Sequence, residues 1–138
     1  MKIYVASSWR NEDQPEVVRQ LRQLGHSVYD FKDSDGFSWS EVDENWKQWT
    51  PSQYLEGLEH RCANRGFSRD MAALATCELC IMVMPCGVSA SLEMGWAVGA
   101  GKRTAVFVPV LREPDLMVKM AHFITDSWRA LFDWVGKA

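Results

Sequence analysis

The sequence predicts an α/β domain, a parallel sheet of four to five strands with helices on both faces. Three observations carry that prediction. An apolar run at Ile3–Ala6, a helical stretch, Gly25 and a second β-rich run at His26–Phe31 follow one another over about thirty residues, the order and length of a βαβ unit. Leu79-Cys80-Ile81-Met82-Val83-Met84 is unbroken and apolar, as in a central parallel strand buried on both faces. A helical stretch ended by Gly101 then leads into another β-rich run, Thr104–Val108.

The elements follow in order. Ile3–Ala6 turns polar at Ser7-Ser8-Trp9-Arg10, so it is too short for a signal peptide and reads as a first strand. Asp13, Gln14 and Pro15 look like a helix start, with Glu16 in the first turn. Val17, Val18, Leu21 and Leu24 follow at helical spacing, and Gly25 ends the helix. Residues 32–50 break this rhythm. Lys32-Asp33-Ser34-Asp35-Gly36 is rich in turn formers, and Phe37, Trp39, Trp46 and Trp49 then stand among polar residues. Two readings are open: an insertion whose tryptophans pack on a small core of their own, or a lid or pocket wall whose rings stack on planar bases.

Helices are expected from Pro51 to about Glu59 and from about Arg65 to Thr76. The second carries Met71, Ala72, Leu74 and Ala75 as its apolar face, with Asp70 one turn in. After the 79–84 strand, Pro85-Cys86-Gly87 turns the chain, and Ser89 is expected to cap a helix running to Ala100. Beyond Pro114 come a short helix near Leu116–Met120 and an edge strand near His122–Thr125. A last helix runs through Trp128, Leu131, Phe132 and Val135.

A chain of 138 residues suffices for one domain with a real core. The net charge of −3 gives no basic footprint, so nucleic acid is not an expected partner. No apolar run approaches the length of a membrane span, so no membrane partner is expected and the cytoplasm is the default location. Cys77 and Cys80 form a CxxC, but neither Cys62 nor Cys86 completes a second pair with metal spacing. They are expected as small core residues, and no metal site is expected.

In parallel sheets ligands bind at the carboxyl ends of the strands. Ser7–Arg10 and Pro85–Ser91 both fall at such ends, so they are expected to be neighbours. With Ser89 as cap, Glu93 lies about one turn into its helix, where the macrodipole favours the ionised carboxylate. Ser89 and Glu93 are four apart and share a face, and free backbone N–H groups there can hold hydroxyls or an anion. The plain alternative is a capped helix with a solvated glutamate. Asp70 is a second candidate, the alternative being a surface carboxylate beside Arg69 or Arg65. Two carboxylates flanking a bond are what glycosidic cleavage requires. Arg10 offers a planar fork for a carboxylate or phosphate, or is an ordinary surface arginine.

Ile3-Tyr4-Val5-Ala6-Ser7-Ser8-Trp9, the Asp70 helix, the strand 79–84 and Gly87-x5-Glu93-Met94-Gly95-Trp96-Ala97-x3-Gly101-Lys102 together resemble the nucleoside 2-deoxyribosyltransferase family. They are similar also to its relatives, the 2'-deoxynucleoside 5'-phosphate N-hydrolases. The resemblance covers residue 2 to about 108, apart from 32–66. It implies a single flavodoxin-like domain over 1–138 with a Trp-rich insertion near 32–50, and a homodimer or higher homo-oligomer in which a neighbour completes the site. It implies a small-molecule nucleoside or nucleotide as substrate and no cofactor. By position, Glu93 is then the nucleophile that forms a glycosyl-enzyme intermediate, Tyr4 orients it, and Asp70 assists departure of the base. Ser8 and Arg10 match positions that hold phosphate in the N-hydrolases, with Ser7 and Trp9 in the same loop. The transferases carry an aspartate six residues before the glutamate and the phosphate-binding branch a serine; this chain has Gly87, with Ser89 and Ser91 nearby.

The expected reaction is therefore cleavage or transfer at an N-glycosidic bond. Two alternatives keep the fold: a non-catalytic module that binds a nucleotide or nucleotide signal, and an NAD glycohydrolase similar to Toll/interleukin-receptor domains.

Overall fold

Strand alternation explains the sheet. In the computed structural model, which describes residues 1–33 and 36–137, the strands are β1 (Lys2–Ala6), β2 (Ser27–Asp30), β3 (Leu79–Val83), β4 (Arg103–Phe107) and β5 (Phe123–Thr125). The helices are α1 (Gln14–Gln23), α2 (Pro51–Leu58), α3 (Arg61–Thr76), α4 (Val88–Gly99) and α5 (Trp128–Gly136). Among the described residues all strands are parallel, in the order β2-β1-β3-β4-β5. The architecture is the expected α/β sheet, at the upper end of the expected strand count. Ser34 and Asp35 of the turn-rich stretch lie outside the described residues.

The chain divides into two compact units, Met1–Asp30 with Leu74–Ala138, and Phe31–Ala73. The first holds the sheet. Ile3, Val5, Leu79, Ile81, Val83, Ala105 and Phe107 point to one face, where they pack with Val17, Val18 and Leu21 of α1 and Leu131 and Val135 of α5. The intervening residues, Tyr4, Ala6, Cys80, Met82 and Val106, are equally buried on the opposite face. There α4 lies across β1, β3 and β4 and buries Ala90, Met94 and Ala97. This two-sided burial is why β3 is apolar at all five positions. Cys77 and Cys80 are buried and unpaired, as small core residues should be. Gly25 and Gly101 follow α1 and α4 with positive φ, the left-handed conformation that closes a helix.

The Phe31–Ala73 unit has its own aromatic cluster. Trp39 meets Phe37, Trp49 and Tyr54 edge to face, with ring centres 4.9, 5.5 and 6.1 Å away. Gly57 lies so close under Trp49 that a Cβ there would stand 2.6 Å from the indole. Asp43 accepts from the Trp49 indole N–H at 2.8 Å and from the Asn45 backbone N–H at 3.0 Å, which holds its carboxyl below its ordinary value. A cavity of about 390 Å³ in this unit is lined by residues that include Asp43, Trp49, Glu56, Gly57 and His60. Of these, Trp49 belongs to the tryptophans for which the sequence left a pocket-wall reading open.

Two helix starts differ from expectation. α3 begins at Arg61 rather than near Arg65, because His60 Nδ1 accepts the Cys62 backbone N–H at 3.1 Å and acts as a cap. Histidine is not among the usual cap residues, so the pattern hid it. α4 begins at Val88 with Gly87 as its N-cap, and Ser89 falls within the first turn instead of capping it. Among the described residues, no helix is long and apolar enough to cross a membrane.

Candidate active site

The strand order places a topological switch point between β1 and β3, where the chain leaves the sheet in opposite directions. In open parallel sheets this is where a crevice forms at the carboxyl ends. The loops after these two strands are tied together as the sequence predicts. Ser7 Oγ donates to the Val83 carbonyl at 2.8 Å. Asn11 Nδ2 donates to the Pro85 carbonyl at 3.0 Å and approaches that of Val83 at 3.4 Å. The other end of the same amide starts α1, since Asn11 Oδ1 accepts from the backbone N–H groups of Asp13 and Gln14 at 2.9 and 2.8 Å. Asp13 precedes the helix but makes no side-chain cap bond, so Asn11 does that work from two residues further back.

Tyr4 and Glu93, 89 residues apart, are joined directly. The Tyr4 hydroxyl donates to Glu93 Oε2. Tyr4 is completely buried, and its ring stacks on that of Tyr29 with centres 5.1 Å apart and planes at 17°. Glu93 lies in the second turn of α4 on the side toward the sheet, and is half-buried. Burial pushes its carboxyl from the ordinary 4.5 up to about 7. The Tyr4 hydroxyl works in the opposite sense, because a donor favours the charged form. The expectation that the helix start would favour ionisation is overturned. The dipole effect fades within the first turn, α4 begins at Val88, and removal from water dominates at Glu93. A carboxyl titrating near neutrality beside a fixed donor is a group whose charge chemistry can use.

The remaining predicted residues differ in burial and in the partners they hold. Ser7 is buried and its hydroxyl is occupied by Val83. Ser8 is half-buried, while Trp9 and Arg10 reach into solvent. Gly87 is exposed at the start of α4, with nothing within 4 Å of the place a Cβ would take. Ser89 is exposed in the first turn. Ser91 Oγ donates back to the Gly87 carbonyl at 3.1 Å. Asp70 is half-buried on α3, within the Phe31–Ala73 unit. Among the described residues, no three His, Cys, Asp or Glu side chains converge as a metal site would require.

Sequence reasoning missed Asn11 and Tyr29. The signal for Tyr29 lies in strand register: β1 and β2 pair Tyr4 with Tyr29, a relation visible once the two strands are laid side by side. Asn11 stands three residues ahead of α1, where an Asx cap competes with the nearer Asp13 for notice.

No protein-family model matches the sequence, and no curated protein matches it. Solved structures do. A 2-deoxyribosyltransferase from the psychrotolerant bacterium Bacillus psychrosaccharolyticus superimposes with a TM-score of 0.64 at 21% identity, covering 95% of this chain and 90% of that one. The CMP N-glycosidase of Clostridium botulinum superimposes with a TM-score of 0.58 at 13% identity, covering 99% of both chains. The neighbours are thus of the kind the sequence motifs resemble, and both share this chain's flavodoxin-like fold over nearly its whole length.

Proposed function

We propose that this protein cleaves or transfers the N-glycosidic bond of a nucleoside or nucleotide, with Glu93 as nucleophile. The observation that carries the reading is the partly buried hydrogen bond from Tyr4 to Glu93 on the face covered by α4. The activities of the two neighbours, deoxyribosyl transfer and CMP N-glycosidic cleavage, point the same way. In the first step a Glu93 carboxylate oxygen bonds to C1' of the sugar. The C1'–N bond breaks, and its electron pair leaves with the base, which takes up a proton assisted by Asp70. In the second step water, or a second base, attacks C1', frees the carboxylate and gives up a proton. Only the ionised form of Glu93 can begin this cycle. Ser8, Trp9 and Arg10 at the end of β1, and Gly87, Ser89 and Ser91 at the start of α4, are the substrate-binding candidates. The unpaired state of all four cysteines fits the reducing cytoplasm as the setting.

The same reading includes a homo-oligomer, and α4 supports it. Apart from Glu93, α4 carries no charged residue, and Val88, Leu92 and Trp96, spaced one turn apart, remain 76, 68 and 40% exposed. Leu116 and Met117 beyond β4 are also exposed, at 75 and 65%. Val88, Leu92 and Trp96 make an uncharged apolar stripe along α4, the kind of surface a partner subunit covers. A second copy of the chain meeting this face head to head brings no like charges together.

The test is mass spectrometry of the protein with a panel of nucleosides, nucleotides and NAD. Base release by the wild type, a glycosyl adduct trapped on Glu93, and a loss of roughly a thousandfold or more in Glu93→Gln support the reading. Undiminished release by Glu93→Gln overturns it, as does binding without turnover across the panel. Nicotinamide release from NAD alone transfers the assignment to a glycohydrolase.

A further inference from the structure

Tyr4 leaves the middle of β1 toward the face that α4 covers, and its neighbours in register there are Tyr29 on β2 and Cys80 on β3. The two neighbours differ in what they offer the ring. Cys80 is small and completely buried, and gives no flat wall. Tyr29 stacks against the Tyr4 ring in an offset arrangement, with ring centres 5.1 Å apart and planes within 17° of parallel. The Tyr4 hydroxyl sits at the far end of its side chain, so a tilt of the ring displaces the hydroxyl more than any other atom. A hydrogen bond tolerates only a few tenths of an ångström of such movement before it weakens. We propose that Tyr29 is a positioning residue: by stacking on Tyr4 it aims the Tyr4 hydroxyl at Glu93 and keeps that carboxyl hydrogen bonded.

The groups that could otherwise govern Glu93 from these elements are few. α4 carries no other charge, and burial pushes the Cys80 thiol far up, so it stays neutral. Tyr4 on β1 is the donor that reaches the carboxyl from the sheet. The meaning of this arrangement for catalysis rests on the proposed function, but the arrangement itself does not. The experiment therefore reads the carboxyl, while base release remains the separate test of the reaction.

The experiment is a carbon-13 NMR titration of the Glu93 side-chain carboxyl in the full-length protein, assigned by loss of the signal in Glu93→Gln. Tyr4→Phe removes the donor and should raise the titration midpoint by about one pH unit. Tyr29→Leu should raise it by a similar amount, Tyr29→Phe should leave it unchanged, and Tyr29→Leu should add nothing in a Tyr4→Phe background. If Tyr29→Leu does not fold, Tyr29→Thr, a β-branched residue suited to a strand, takes its place. The proposal is overturned if loss of the Tyr29 ring leaves the midpoint unmoved. It is also overturned if that loss shifts the midpoint equally with and without the Tyr4 hydroxyl, because Tyr29 would then act on Glu93 without Tyr4.

Discussion

Replacing Glu93 by glutamine should stabilise the protein, and increasingly so as the pH rises. In the folded chain the carboxyl is raised from 4.5 to about 7 by burial. Its neutral form is therefore favoured by folding, and the stability it contributes is fully present below pH 4.5 and lost as pH rises through 7. At about 1.4 kcal/mol per unit, that shift corresponds to roughly 3 kcal/mol of stability forgone above pH 8. Glutamine keeps the shape and an oxygen for the Tyr4 hydroxyl but never ionises, so it escapes the loss. Urea unfolding of both proteins at several pH values between 4 and 8.5 measures the difference directly. It should be close to zero at pH 4, grow mainly between 4.5 and 7, and level off at about 2–3 kcal/mol. A difference that stays constant with pH, or that favours the wild type at pH 8.5, would refute the account of Glu93 as a carboxyl raised by burial.

Other outcomes follow from the same geometry. Base release should fall about tenfold per pH unit below 7 as Glu93 takes up its proton, and Tyr4→Phe should move that limb upward; a rate independent of pH from 5 to 7 contradicts the nucleophile assignment. Asn11→Ala removes the start of α1 and the tie to Pro85 together, and should cost about 2–3 kcal/mol in urea unfolding, where a surface asparagine would cost under about 0.5. Gly57→Ala drives a methyl to within 2.6 Å of the Trp49 indole and should cost about 1–3 kcal/mol, with a change in tryptophan fluorescence. Gly87→Ala, with nothing within 4 Å of its new methyl, should shift the melting temperature little by comparison.

Periodicity made the sheet unit legible. The 79–84 run read as a doubly covered strand, and α1 was bracketed by Pro15 and Gly25, whose backbone preferences are local. The helix starts at Arg61 and Val88 were less visible, because His60 and Gly87 cap through means the sequence does not advertise. At the site, Glu93 and Tyr4 could be named from motif order, but their hydrogen bond spans 89 residues, and its electrostatic setting was misjudged. The dipole argument is a property of the helix alone, whereas burial depends on the sheet beneath it. Tyr29 escaped for the same reason, since stacking across two strands exists only once the register is fixed. The tryptophans of 32–50 left two readings open, and the cluster about Trp39 shows that Trp39 and Trp49 pack on one another and Trp39 on Phe37.

Asn11 has a thermodynamic consequence of its own. One amide both begins α1 and fastens the loop after β3, so the two sides of the crevice are ordered in the act of folding. A ligand entering at the carboxyl ends of β1 and β3 meets a floor whose chain entropy has already been surrendered. Little of its binding energy goes into arranging that floor.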